Sequence, residues 1–329
     1  MRAGSKVATV IANLNLGSTA FRHAIRLAVC IVIGEALGRG LGFARPYWIP
    51  MTIAIVLKPD FGATFQRGVL RLLGTYAGLI LATLLVHAFP EAVSAHIALI
   101  AALMFLARCF GPANFGIVTV AISAVVVFLI SLTGIPAQQV IGARALNTSI
   151  GGAIALLAYW LWPTWERHRV AETAAIMLDA FLDYFRAIRA GSGVEEKRTA
   201  GRLARSNLEA SIGRAASEPG VSAERMALAN GMMASSRRLA QSLISLEAAG
   251  VPHDARFGRF ADDVGVTLEH LSQFLRGGKI EPLPDLREDH YELVRSGDRH
   301  SLVNIEADRI TNSLNTLSVQ VLHWLDLRA

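Results

Sequence analysis

Ionisable side chains placed among apolar segments are costly, so the few that this chain puts there mark where its chemistry is to be sought. The densest group is Lys58-Pro59-Asp60-Phe61-Gly62, followed by Arg67 and Arg71. A proline and a glycine here bracket a turn between apolar runs, which leaves backbone groups unpaired, and interrupted segments of this kind hold ions in membrane carriers. Three cations at such an edge suit the capture of a carboxylate. Lys58, Asp60, Arg67 and Arg71 are therefore the substrate-binding or gating candidates, with Asp60 organising the loop by pairing with Arg67 or Lys58. The competing reading is a charged loop that only fixes topology. Two carboxylates are candidates for carrying protons, Asp60 and Glu35. Glu35 lies four residues before Arg39, so a neutralising i,i+4 pair competes with the proton-carrying role. His96, near the start of a later apolar run, reads as an interfacial residue.

Other chemistries find no support in the spacing. There is no phosphate-binding Gly-Lys loop, no zinc-binding His pair around a glutamate, no nucleophile elbow and no dinucleotide fingerprint. His290 and His300, with Asp285, Glu288 and Asp289 nearby, match no metal-ligand pattern and read as solvated loop charges. Gly111 to Gly116 joins two apolar runs and reads as a turn. Cys30 and Cys109 each sit inside an apolar stretch, where a thiol behaves as a small hydrophobe, so neither a disulfide nor a cysteine metal site is expected. The expectation is a protein that is not an enzyme and needs no cofactor or metal.

The elements that must position these residues follow from composition. Of 329 residues 53% are apolar, and the mean hydropathy of +0.41 is too high for two soluble domains. Through Pro163 the chain has 11 basic residues against 3 acidic ones, and after it 21 against 23, so the two halves differ in the solvent they suit. The pI near 9.7 then reflects basic loops that flank membrane helices rather than a nucleic-acid-binding face. Six apolar segments are readable: Phe21 to Leu41, Tyr47 to Leu57, Val69 to Phe89, Val93 to Ala107, Phe115 to Leu132 and Ile141 to Trp162. The second is short and bracketed by Pro50 and Pro59. Six spans with both ends inside keep the Lys58 to Arg71 loop, Arg108 and Arg167-His168-Arg169 on the inner face, in accord with the positive-inside rule. Small residues recur at helix-contact spacing at Gly34, Gly38 and Gly42, at Gly74 and Gly78, and at Ala145, Ser149 and Ala153.

Indole rings at Trp160, Trp162 and Trp165 mark a headgroup zone, and Pro163 ends the last apolar helix. Beyond it the pattern turns amphipathic, with Ile176, Leu178, Phe181, Leu182 and Phe185 on one side. Helical runs follow at about Glu195 to Ala216, Ser222 to Ala249, Ala255 to Arg276 and His300 to Leu327, broken by Pro219-Gly220, Gly250-Val251-Pro252 and Gly277-Gly278. The stretch near Pro282 to Asp289 reads as a charged loop. The expected fold class is all-α: an N-terminal cytoplasmic segment (1–20), a transmembrane domain of six helices (21–163) and a soluble cytoplasmic helical bundle (164–329). The first twenty residues lack the apolar core of a secretory leader, so the first helix is expected to target the membrane.

The stretch YWIPMTIAIVLKPDFGATFQRGVLRLLGTYAGL, from Tyr47 to Leu79, resembles the signature region of the fusaric acid resistance protein-like family of bacterial inner-membrane transporters. Arg22-His23-Ala24-Ile25-Arg26 and the closing ARALNTSIGGAIALLAYWLWPTWE are similar to that family's flanking segments. The likeness runs from about Ala12 to Glu166. It implies export of aromatic or otherwise hydrophobic organic acids and a plasma-membrane location in contact with lipids, while the lack of a nucleotide site in the sequence makes proton coupling the expected energy source. Many members of the family carry the membrane half and cytoplasmic domain twice, and the opening ANLNLGSTAFRHAIRLAV resembles the junction before the second copy. The resemblance thus also implies a partner, either a homodimer or a complementary half-transporter. A passive organic-anion channel and a membrane-anchored scaffold for a cytoplasmic partner are the alternative readings.

Overall fold

In the computed structural model residues 19–89, 93–251, 255–295 and 301–327 are described. Most of the N-terminal segment, Glu91, Pro252 and His300 lie outside them. The chain divides into two compact units, Met1–Thr164 and Trp165–Ala329, and the described residues form helices without strands.

The first unit contains α1 (Thr19–Gly40), α2 (Trp48–Val56), α3 (Phe61–Ala88), α4 (Val93–Phe110), α5 (Phe115–Ser131) and α6 (Ala137–Leu161). Among the described residues 3 segments are long and apolar enough to cross a membrane: α3, α4 and the stretch from Ala137 that α6 opens. The shorter α5, of 17 residues, carries no charged residue, whereas α1 carries Arg22, Arg26, Glu35 and Arg39 along its length. Helix α2 has only 9 residues, which at about 1.5 Å per residue is less than half of a hydrocarbon layer about 30 Å thick. Its strand of chain nevertheless accompanies α6 for much of its length. At one end Asn147 Nδ2 donates to Ala44 O at 2.8 Å, and at the other Thr164 Oγ1 donates to Pro59 O at 2.7 Å. The helix is entered through turns, with Arg45 at φ 56 and Tyr47 already in helical backbone, and it ends at the extended Leu57 ahead of Pro59.

Helix starts follow local chemistry. The Asp60 carboxylate accepts from Ala63 N at 2.8 Å and caps α3, and Asn114 caps α5 through Gly116 N at 2.8 Å. Close packing relies on absent side chains. A Cβ at Gly74 would lie 3.0 Å from Gly116 O, and one at Gly151 would lie 2.7 Å from Ile49 O, so α3 meets α5 and α6 meets α2 backbone to backbone. Gly34 and Gly38 serve α1 against α2 in the same way, but Gly42 lies beyond α1 with φ +66 and open space around it. The expected stripe Ala145, Ser149, Ala153 is displaced by one position. The buried face of α6 is Arg144, Asn147, Thr148, Gly151, Gly152 and Ala155.

The second unit begins with a 3-10 turn, Glu166–His168, and continues as α7 (Val170–Ala190), α8 (Val194–Ala215), α9 (Ala223–Ala249), α10 (Ala255–Leu275), α11 (Leu286–Arg295) and α12 (Leu302–Asp326). The turn is tied down by Glu218, whose carboxylate accepts from Glu166 N at 2.6 Å and Arg167 N at 3.0 Å, while Arg214 reaches the buried Glu166 at 2.7 Å. Leu178, Phe181, Leu182 and Phe185 of α7 join the core with Phe257, Phe260 and Leu268 of α10 and Leu314 and Leu317 of α12. Ile176, expected with them, points outward. Of the stretch read as a charged loop, residues 282–285 are irregular as expected, but from Leu286 the chain folds as α11, because Leu286, His290 and Leu293 recur at helical spacing and are buried.

Candidate functional site

Lys58-Pro59-Asp60 is the joint between α2 and α3, and side chains from α1, from α3 and from Thr164 beyond α6 hold it. The Thr64 hydroxyl, one turn into α3, accepts from Lys58 N at 2.9 Å and is 2.8 Å from Asp60 O. Arg26, buried on α1, donates to Lys58 O at 3.0 Å and to Trp162 O at 2.7 Å, and its guanidinium lies 4.5 Å from the Tyr159 ring centre. One cation thus satisfies the loop carbonyl and a carbonyl left open at the end of α6.

The four candidates of the loop part company. Asp60 is the helix cap, and its geometry shows this role in place of the expected pairing with Lys58 or Arg67. Lys58 is half-buried, and Arg67 lies over the Phe115 ring at 4.5 Å. Arg71, one turn deeper, is 4% exposed and sits well inside the bundle rather than at its mouth. Glu35 forms an ion pair with Arg39 on the outer surface of α1, so that carboxylate is engaged. His96 is a core residue rather than an interfacial one: its Nε2 lies 2.9 Å from Phe89 O and its ring 5.2 Å from that of Phe128.

Arg144 on α6 is the residue that sequence reading passed over. It is 1% exposed, lies 5.1 Å from the Trp48 ring centre, and is within Coulombic reach of Arg71. Helix α3 packs antiparallel on α6, with Leu72 3.5 Å from the place a Cβ of Gly152 would take and Tyr76 bonded to Ser149 at 2.8 Å, a register that sets the two arginines at different heights along the pair. Neither Arg71 nor Arg144 has a hydrogen bond or ion pair among the described residues, and the Nε of each is buried and unpartnered. Thr52 Oγ1 and Asn147 Oδ1 are likewise buried without a partner. With Glu35 on Arg39 and Asp60 on a helix terminus, no carboxylate described in this unit neutralises them. Burying a cation in this way costs several kcal/mol unless an anion accompanies it. Two buried guanidinium groups without a counter-charge are chemically suited to hold an anion, and Trp48 stands as an apolar wall beside Arg144.

A signal for Arg144 was present in the sequence. It is a lone arginine in an apolar run, and it shares a helical face with Asn147, Thr148 and Gly151. The charge count had assigned it no role.

Comparison with known proteins fits this architecture. The family model described as fusaric acid resistance protein-like matches residues 7–158. The uncharacterized protein YhfK of Escherichia coli is 33% identical over 180 residues, which is 53% of this chain and 25% of that protein. The inner membrane protein YccS of Escherichia coli is 29% identical over 196 residues, 57% of this chain and 26% of that protein. An uncharacterized protein of Synechocystis sp. is 28% identical over 228 residues, 65% of this chain and 30% of that protein. The chain therefore spans only about a quarter to a third of the length of these relatives. Residues 7–158 thus match the fusaric acid resistance protein-like family model, and the apolar helices among them have the length and composition that a membrane requires.

Proposed function

We propose that the chain is a bacterial inner-membrane exporter of small organic acids, aromatic carboxylates among them. The observation that carries the reading is the buried, unpaired couple of Arg71 and Arg144. A carboxylate bound between them supplies the missing counter-charge, and an aromatic ring has Trp48 to pack against. In this account Lys58 and Arg67 draw the anion to the inner mouth, and the Arg26-braced loop keeps that mouth in shape. Six crossing segments place the loop and the helical domain after Pro163 in the cytoplasm, as the excess of Lys and Arg near the loop favours. Because the matched stretch makes up only about a quarter of these relatives, the working unit is proposed to be a pair of chains, as a homodimer or with a complementary half.

Export from cells carrying Lys58→Ala or Arg67→Ala, at equal membrane level, tests the inner-mouth role. Efflux of a carboxylate slowed severalfold is expected, with the loss shrinking as salt screens the charges. Unchanged efflux in both variants would remove these residues from the mechanism. Collapse of the proton gradient is expected to stop export. Flux that persists without the gradient would mark a passive anion channel instead.

A further inference from the structure

Between α11 and the first turns of α12 in the second unit lies a cavity of about 780 Å³, within the range of small-molecule sites. Its charged lining is three arginines, Arg287, Arg295 and Arg309, against one carboxylate, Asp308. Arg287 already neutralises Asp308 at 2.6 Å, and Arg309 rests on the buried Glu306 at 2.7 Å. Arg295, exposed in the last turn of α11, has no ion pair or hydrogen bond among the described residues. One wall holds a second unanswered group. His290 is 8% exposed, its Nε2 lies 3.2 Å from Asn304 O, and its Nδ1 is buried with no hydrogen bond, the nearest carboxylate oxygen being 3.9 Å away on Asp308. The exposed Tyr291 ring, beside His290 at 6.3 Å, completes an aromatic side.

We propose that this cavity binds a phosphate monoester. An unanswered guanidinium asks for an anion. An imidazole whose Nε2 donates to a carbonyl offers Nδ1 as an acceptor, which asks for an O–H on the same ligand. A carboxylate at neutral pH has the charge but no O–H. A phosphate monoester, with its second ionisation near pH 6, presents both an O–H and anionic oxygens around neutrality. The volume leaves room for an organic group beyond the phosphate, and Tyr291 and Ile305 give that group a surface to lie on. The ligand's phosphate comes either from a soluble metabolite or from a lipid headgroup. This site is independent of the arginine couple in the membrane half and stands or falls without it.

The test is calorimetric titration of the detergent-solubilised full chain with phenyl phosphate, with dihexanoyl phosphatidic acid, and with benzoate. Saturable binding of phenyl phosphate, weakened about tenfold by Arg295→Ala, is the expected result, since one charge-assisted hydrogen bond is removed. Arg237→Ala, a surface change at the Glu209 ion pair away from the cavity, is expected to leave binding unchanged. Binding of the phosphatidic acid alone, with the same dependence on Arg295, also supports the site and assigns it to a headgroup. No saturation by either phosphate, equal binding of benzoate, or indifference to Arg295→Ala would overturn the proposal. Arg295 is exposed, so its loss does not endanger the fold.

Discussion

A residue that is costly to the fold and kept there asks to be separated from those that merely support it, and Arg144 offers a clean case. Removing one partner of a buried ion pair destabilises, but removing a buried charge that has no partner relieves the fold of its desolvation penalty. Arg144→Met is therefore expected to leave the thermal midpoint of the purified protein unchanged or raised, while export falls by tenfold or more. A protein that loses stability together with transport would show that Arg144 is a packing residue. Asp60 stands at the opposite pole: its carboxylate is engaged at the start of α3, so its place in the family-like Lys-Pro-Asp run has a structural explanation in helix capping. The sequence marked the Lys58–Arg71 stretch because its charges cluster in a line of text. It did not mark that Arg71 comes within Coulombic reach of Arg144, because the two stand 73 residues apart in sequence on separate helices. Residue type and local spacing carry no information on such a pairing.

At the scale of elements, helical character was plain from periodicity and from the glycines and prolines between runs. The short α11 escaped notice because its charged residues outnumber the apolar ones, and only Leu286, His290 and Leu293 reveal its buried side. The contact between α3 and α5 rests on absent side chains, and at Gly78 an added Cβ would collide with the Val120 carbonyl oxygen. Gly78→Ala is expected to destabilise the membrane half by about 1–3 kcal/mol, as overpacking does, measured by thermal unfolding in detergent. A midpoint equal to the parent's would show that these helices can slide apart at no cost. Between α10 and α11, burial and the neighbouring Asp263 carboxyl raise Asp289 to about 6 from its ordinary 3.8. With a folded-state pKa above the unfolded one, its stabilisation is complete below about pH 4 and is lost as pH rises through 6. Unfolding midpoints followed from pH 4.5 to 7 are therefore expected to fall less steeply in Asp289→Asn than in the parent. Identical slopes would show that the pair does not share a proton.

The whole molecule joins a basic, apolar unit to a polar helical one, and the charge contrast between them was readable from composition. The number of crossings was not, because α2 is a nine-residue helix between turns on one side and an extended residue on the other, and α1 carries four charges. Hydropathy counts continuous apolar length. It is blind to chain that is sheltered within a bundle, where broken helices are tolerated. The same broken segment brings Trp48 beside Arg144, so what obscures the topology also helps to build the candidate site. At this scale the account makes one central claim: the buried arginines are the binding site for the exported anion. Its most direct test is the intracellular accumulation of a panel of labelled aromatic carboxylates in cells carrying the parent gene, an Arg71→Gln/Arg144→Gln double variant at equal membrane level, or neither. The account predicts that the parent lowers accumulation of at least one acid and that the double variant behaves like cells without the gene. Accumulation lowered equally by the parent and the double variant would contradict it.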